Sequence, residues 1–197
     1  MYDVWSILTE SRARRRCLEI ADIRDGESVL EVAVGTGMLF EKILQSNPSG
    51  INEGIDLTQE MLDRAGRRLH KSGSSAYVLK TGDAYHLEYP DDSFDIILNN
   101  YMFDLLPERD FAVILGGFKR VLRPGGRIVL VNMTKGSAIF NVVWGWLYKF
   151  QPVLLGGCRG VELTDYLKEA GFEKVHREHV SQFFFPSEII GAMKPLT

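Results

Sequence analysis

The sequence predicts an α/β fold: a mainly parallel sheet, covered by helices on both faces, that ends in an antiparallel C-terminal hairpin. Three observations predict it. Strand-like and helix-like segments alternate between residues 28 and 134, and a Gly-x-Gly turn, Gly35 and Gly37, follows the first apolar run. Near the end, one helix is followed by two strand-like runs with no helix between them. Repeated strand–helix–strand units of this length require right-handed crossovers, which lay the strands parallel and place helices on both faces of the sheet.

Taken in order, the chain starts helix-like at "MYDVW", so no signal peptide is expected ahead of the fold. The basic run "RARRR", 12–16, is expected to form the solvated face of this helix. "SVLEVA" is a short apolar strand, and "TGMLFEKILQS" behind it carries helical spacing at Leu39, Ile43 and Leu44. "GINEGID" predicts the second strand. "LTQEMLDRAGRRLHKSG" predicts a helix capped by Thr58 and stopped at Gly73. "AYVLKTGDA" and "SFDIILNN" are the third and fourth strands. "LPERDFAVILGGFKRVLRPGG" reads as a helix with Pro107 in its first turn and a Pro-Gly-Gly exit, and "RIVLVNMT" is the fifth strand. "VELTDYLKEAGF" is a helix closed by Gly171. "EKVHREHVSQFFF" and "SEIIGAMKP" should then pair antiparallel across a turn at Pro186-Ser187.

With 197 residues, the chain suits a single domain, 1–197, large enough to bury a core without disulfides or metal. A 45% hydrophobic and 25% charged composition argues against disorder, and a net charge of −3 gives no global field toward nucleic acid. Cys17 and Cys158 fit no metal or redox spacing and read as free thiols of a reducing, cytoplasmic compartment. His176 and His179 fall on opposite faces of one strand, His86 reads as a packed or solvent-facing side chain, and Asp95 reads as structural. No metal site is expected.

The glycine turn carries the functional signal. Ligands of an open parallel sheet settle beyond the carboxyl ends of the strands, where glycines let backbone approach them. A dinucleotide fingerprint needs a third glycine where this chain has Phe40, and no Lys-Ser or Lys-Thr follows as in a phosphate-binding loop. A nicotinamide oxidoreductase is therefore disfavoured. Glu31, at the end of the first strand, suits a cation better than a pyrophosphate. S-Adenosylmethionine offers such a cation, an α-ammonium beside a sulfonium, and carries no phosphate. Asp56, ending the second strand 21 residues beyond Gly35, can accept hydrogen bonds from both ribose hydroxyls. Asp83 and the Ala84 backbone, in "TGDAY", can bond the adenine edge.

In this order and spacing, "VLEVAVGTG", "GIDLTQEML", "TGDA", "DDSFDIIL" and "LRPGGRIVLV" resemble the class I S-adenosylmethionine-dependent methyltransferases over nearly the whole chain. The resemblance implies a Rossmann-like sheet of seven strands with the last reversed, and S-adenosylhomocysteine as product. It implies that Glu31 and the turn Ala33, Gly35, Thr36 and Gly37 surround the methionine moiety, with Asn99 near that end. Asp56 would meet the ribose, Leu57 and Met61 would flank the adenine, and Gly82, Asp83 and Ala84 would hold its edge. Alanine at 33, where many members have glycine, looks like the quinone-biosynthesis C-methyltransferases and the phospholipid N-methyltransferases. "MYDVW" is similar to a lid segment that would bring Tyr2 over the cofactor.

Methyl transfer from a sulfonium is an in-line displacement, so positioning can supply most of the acceleration without an acid or base. The loop "NNYMFD" should face the methyl group, making Tyr101 and Asp104 the candidates to orient or deprotonate a substrate. It lacks the Asn-Pro-Pro-Tyr motif of amino-directed DNA and protein-glutamine methyltransferases. The segment 136–160, rich in aromatics and with Lys149 and Arg159 as its only charges, is expected to be an apolar substrate lid, with Trp144 and Tyr148 joining Tyr101 in the pocket. The expected substrate is a small hydrophobic molecule, a quinone precursor or lipid-like compound. Peripheral membrane contact fits the same segment, and nucleic acid is not an expected partner. The alternative reading is a non-catalytic, methyltransferase-like scaffold. The residues leave the acceptor atom and the oligomeric state open.

Overall fold

The computed structural model describes residues 2–73, 76–134, 159–182 and 185–197, with side chains from Glu10 onward. Seven strands form one sheet: β1 (Ser28–Val32), β2 (Ile51–Asp56), β3 (Val78–Thr81), β4 (Phe94–Asn100), β5 (Leu122–Met133), β6 (Glu173–Gln182) and β7 (Phe185–Met193). They lie in the order β3-β2-β1-β4-β5-β7-β6. The pairs from β3 to β5 are parallel, and β7 runs antiparallel to both of its neighbours. The expected parallel sheet with a reversed terminal hairpin is the observed one. Strand order reverses between β1 and β4, which opens a crevice above the glycine turn.

Helices α1 (Tyr2–Ala21), α2 (Met38–Ser46) and α3 (Gln59–Lys71) cover one face of the sheet. Ala13, Cys17, Phe40, Ile43 and Leu62 pack there on Val29, Ile96, Leu98, Val129 and Val131. Helices α4 (Phe111–Val121) and α5 (Thr164–Glu169) cover the other, where Phe103, Phe111, Phe118 and Leu167 bury against Leu30, Val32, Ile97, Ile128 and Leu130. The alternation of these strand residues between faces is the strand period of two expressed as two cores. Phe40, which occupies the third-glycine position, is fully buried, and its ring lies where a Cβ on Gly54 of β2 would meet it at 3.3 Å. The missing side chain on β2 makes room for the phenyl ring on α2.

Three boundaries differ from expectation. Helix α4 stops at Val121 because Arg123 precedes a proline, which disfavours helical backbone there. The chain rejoins the sheet at Leu122 opposite Phe94, bulges through the Pro-Gly-Gly exit, and resumes at Arg127 opposite Ile96. The hairpin ladder runs to Gln182 opposite Phe185, so Pro186 and Ser187 lie inside β7, paired with Ser181 and Val180, rather than at the turn. Pro186 is the second residue of β7, and its carbonyl still accepts Thr134 N–H at 3.1 Å. Helix α5 is shorter than predicted and ends in a Schellman closure: Phe172 N–H bonds Leu167 O at 3.0 Å and Gly171, φ +79°, bonds Lys168 O at 2.9 Å.

The run 12–16 is not one solvated face. Arg12 and Arg15 are exposed, whereas Arg16 pairs with Glu178 of β6 at 2.6 Å and Arg14 turns inward beside Glu10 and Glu31. Cys17 is fully buried, and burial pushes its thiol well up from the ordinary range, an inert core position. Asp95 is structural, accepting Ser28 N–H at 2.8 Å and Arg123 Nη1 at 2.7 Å. No helix among the described residues is long and apolar enough to cross a membrane.

Candidate functional site

The turn leaving β1 is built from strained backbone. Ala33 has φ +59° and Gly35 φ +54°, and Val34 N–H bonds Ile55 O at 2.9 Å, stitching the turn to β2. A Cβ on Gly35 would meet nothing within 4 Å, so that glycine faces open space, as a turn that admits a ligand must. Gly37, φ +77°, lines neither cavity described below. A Cβ there would lie 3.0 Å from Ala65 of α3, and its missing side chain lets α2 and α3 close on each other. Just past the end of β4, Tyr101 also adopts left-handed backbone, φ +53°. For a bulky residue this is an uncommon conformation that the surrounding structure must enforce. Because the left-handed region costs a non-glycine residue roughly 1–2 kcal/mol, Ala33→Gly should stabilise the fold by about 0.5–1 kcal/mol after glycine's entropic penalty. A rise in Tm of about 1–4 °C is the expected result.

A cavity of about 370 Å³ opens above this turn. Ala33, Gly35 and Asp56 form its floor, Leu57 and Met61 one wall, and Gly82, Asp83 and Ala84 another. Asp56 is held rigidly. One carboxylate oxygen accepts Gly35 N–H at 2.8 Å, the other accepts Thr58 N–H at 3.0 Å and its hydroxyl at 3.1 Å. Asp83 makes an Asx turn, accepting Tyr85 N–H at 2.9 Å, and still lines the cavity. Leu57 is 72% exposed, an apolar lip that a planar ring would cover. The far end is formed by Tyr101, Met102, Leu105 and Leu106, with Tyr85 beside them.

A second cavity of about 60 Å³ adjoins the first through Ala33, Gly35, Asn100 and Tyr101, and reaches under α1 to Glu31, Arg14 and Glu10. Glu31 is 2% exposed, and its Oε2 has no hydrogen-bond partner among the described residues. Burial raises its carboxyl well above the usual range; Arg14 opposes this and Asp56 adds to it. Such a carboxyl is completed by a cationic ligand. Arg14, paired with Glu10 at 2.9 Å, lines the same small polar chamber as Glu31, which brings a guanidinium and a buried carboxyl group to one space. That arrangement suits a zwitterionic amino-acid moiety.

Several sequence expectations resolve differently. Asn99 is fully buried and donates to Val32 O at 2.8 Å, holding the end of β1. It lines neither cavity, whereas Asn100 lines both, with neither amide atom partnered among the described residues. Tyr101 lines the cavities, but its hydroxyl is bonded to Ser187 at 2.8 Å. Burial, with Glu10's charge second, raises its pKa well above normal, so it is no base. Asp104 is fully buried and lines neither cavity. The side chain of Tyr2 lies outside the described residues, as do Trp144, Tyr148 and the stretch 135–158 of the expected lid. Arg14, Glu10, Asn100 and Tyr85 were missed. For Asn100 the signal is parity: it lies two residues past Leu98, which pairs with Glu31.

Comparison with known proteins agrees with this geometry. Residues 29–126 match the family model of the methyltransferase domain. Over 161 residues the chain is 30% identical to the arsenite methyltransferase of Halobacterium salinarum, covering 79% of this chain and 39% of that protein. Over 155 residues it is 30% identical to the demethylmenaquinone methyltransferase of Lactobacillus johnsonii, covering 77% of this chain and 63% of that protein. The chain thus spans less than two thirds of either relative. In fold it matches an S-adenosylmethionine-dependent methyltransferase from Aquifex aeolicus, with TM-score 0.67 and 20% identity over 96% of this chain and 92% of that one. It also matches the cyclase SpnF, with TM-score 0.77 and 21% identity over 94% and 82%.

Sheet order, turn and crevice define a Rossmann-like nucleoside-binding protein. Within that class the chain belongs to the S-adenosylmethionine-dependent methyltransferases. The cofactor fits this chain: the orphaned Glu31 oxygen answers an ammonium, Gly35 leaves space above the turn, and the fixed Asp56 carboxylate faces the larger cavity. Among the described residues no group of three or more His, Cys, Asp or Glu could hold a metal ion.

Proposed function

We propose that this methyltransferase acts on a small, hydrophobic acceptor, a quinone precursor or lipid-like molecule, by in-line methyl transfer. The observation that carries the reading is the apolar end of the larger cavity, where Met102, Leu105 and Leu106 continue past the glycine turn with no ionised group among them. The demethylmenaquinone methyltransferase among the relatives points the same way. When bound, S-adenosylmethionine supplies an electrophilic methyl group on a positively charged sulfur. Glu31 and the Ala33–Gly35 backbone would hold the methionine end, Asp56 would orient the ribose, and Leu57, Met61, Asp83 and Ala84 would hold the adenine. The acceptor then lies against Tyr101, whose protonated hydroxyl, engaged by Ser187, shapes the cavity rather than taking a proton. Positioning is the main source of acceleration. The apolar composition of the segment 136–160 supports reading it as a substrate lid, and supports peripheral contact with a membrane by a cytoplasmic protein.

The test uses methyl-labelled S-adenosylmethionine and a cell extract, separated after reaction into organic, aqueous and macromolecular fractions. Label in the organic fraction, absent with Glu31→Ala, is the expected result. Label confined to the aqueous or macromolecular fractions overturns the hydrophobic acceptor. No label above the Glu31→Ala control favours the scaffold reading, which the fold shared with the cyclase SpnF keeps in view.

A further inference from the structure

On the outer side of the glycine turn lies a third concavity, of about 440 Å³, that the methyl-transfer reading does not use. Four cations line it from one helix: Arg64, Arg67, Arg68 and Lys71 of α3. Their spacing of three and four residues aligns them on a single helix face, where like charges repel and destabilise the helix. Two are committed. Arg64 pairs with Glu60 at 2.6 Å, and Arg68 Nε donates to the Thr36 carbonyl at 2.9 Å. Arg67 and Lys71 are exposed and have no ion pair among the described residues. Glu41 is the one carboxylate on the wall, which Thr36 and Ser72 complete, the Ser72 hydroxyl being donated to Leu69 O at 2.9 Å. A surplus of guanidinium and ammonium groups in a concave space is the chemistry that recognises phosphate oxygens. The net charge of the chain is −3, so this local positive field runs against the charge of the whole molecule.

We propose that this groove is an anion site for a ligand carrying a phosphate or diphosphate group, separate from the cofactor cavities and adjoining them only at Thr36. The ligand's phosphate oxygens bridge Arg67 and Lys71, with Arg68 held in place by the turn. The groove is independent of the acceptor assigned above. A free phosphorylated metabolite and a phospholipid headgroup present the same chemistry, and the experiment separates them.

Inorganic pyrophosphate is titrated calorimetrically into the full chain. In parallel, co-sedimentation is measured with phosphatidylcholine vesicles with and without phosphatidic acid. Saturable pyrophosphate binding identifies a soluble ligand, and binding only to the phosphatidic acid vesicles identifies a headgroup. In either case Arg67→Gln/Lys71→Gln should weaken binding by about tenfold or more, and raised salt should weaken it further. The same variant should keep its affinity for S-adenosylhomocysteine, because neither residue lines a cofactor cavity, and that affinity certifies its fold. Absence of binding to both probes, or equal binding by the variant, overturns the proposal.

Discussion

Glu31→Gln and Asp56→Ala are each expected to weaken S-adenosylhomocysteine binding by about tenfold or more. Hydrogen bonds to charged groups contribute roughly 1.5–3 kcal/mol, and each 1.4 kcal/mol is about a factor of ten. Glu31 also carries a pH signature. Burial raises its pKa in the folded protein, so the ligand-free fold holds a proton there that the unfolded chain has lost. The sign follows from linkage: the folded state binds the extra proton, so stability falls as pH rises from the unfolded carboxylate range toward the folded pKa. An ammonium favours the ionised carboxylate, so binding should release a proton and tighten over that window. Titration in buffers of different ionisation enthalpy reads that release directly. Ligand-free Glu31→Gln should be at least as heat-stable as the parent at neutral pH while binding worse. A merely structural Glu31 would lose stability instead. Unchanged affinity in both variants would remove the cofactor assignment.

The second large effect lies away from the cavities. Glu188 of β7 is fully buried, forms an ion pair with Arg177 of β6, and accepts Leu163 N–H at 3.2 Å. Arg177 also approaches Thr134 Oγ1 at 3.4 Å and Glu162 at 3.8 Å, so one guanidinium ties the hairpin to the end of β5 and to the approach of α5. Burial already raises the Glu188 carboxyl, with Arg177 opposing. Arg177→Met should therefore cost about 3–5 kcal/mol, because it strands a buried carboxyl. Arg177→Met/Glu188→Leu should regain much of that loss, since apolar replacement of a buried pair is often neutral. Denaturant unfolding of both variants checks this. A loss below about 1 kcal/mol in the single variant would mean that the pair behaves like an exposed one.

The parts of the site legible in the sequence are those whose chemistry is local. Glu31 and Asp56 stand at or next to strand ends, shortly before Gly35 and Thr58, and Asp83 follows Gly82. Each announces a turn, and all the residues expected to touch ribose and adenine do line one cavity. Asn99 and Asn100 are adjacent and identical in chemistry, so composition cannot choose between them. The pairing of Leu98 with Glu31 chooses Asn100 for the cavity side and leaves Asn99 to bond Val32. Gly35 and Gly37 look equivalent in the motif. Only the approach of Ala65 shows that the second serves helix packing. Arg14 and Glu10 sit in an ordinary amphipathic helix, with nothing beside them to mark a site. The apparent turn at Pro186-Ser187 misled because proline is a turn signal only when the ladder does not run through it.

By itself, then, the sequence determined the α/β class, the seven-stranded plan, the glycine turn and the acidic residues around it. These follow from periodicity and backbone sterics over a few neighbouring residues. The tertiary structure alone decided which asparagine faces the ligand space and which hydroxyl is already spent. It also decided that α1 carries Arg14 to Glu31, and that four cations of α3 share one groove. Each of these depends on strand register or helix docking, where a shift of one residue reverses which side chain meets the site.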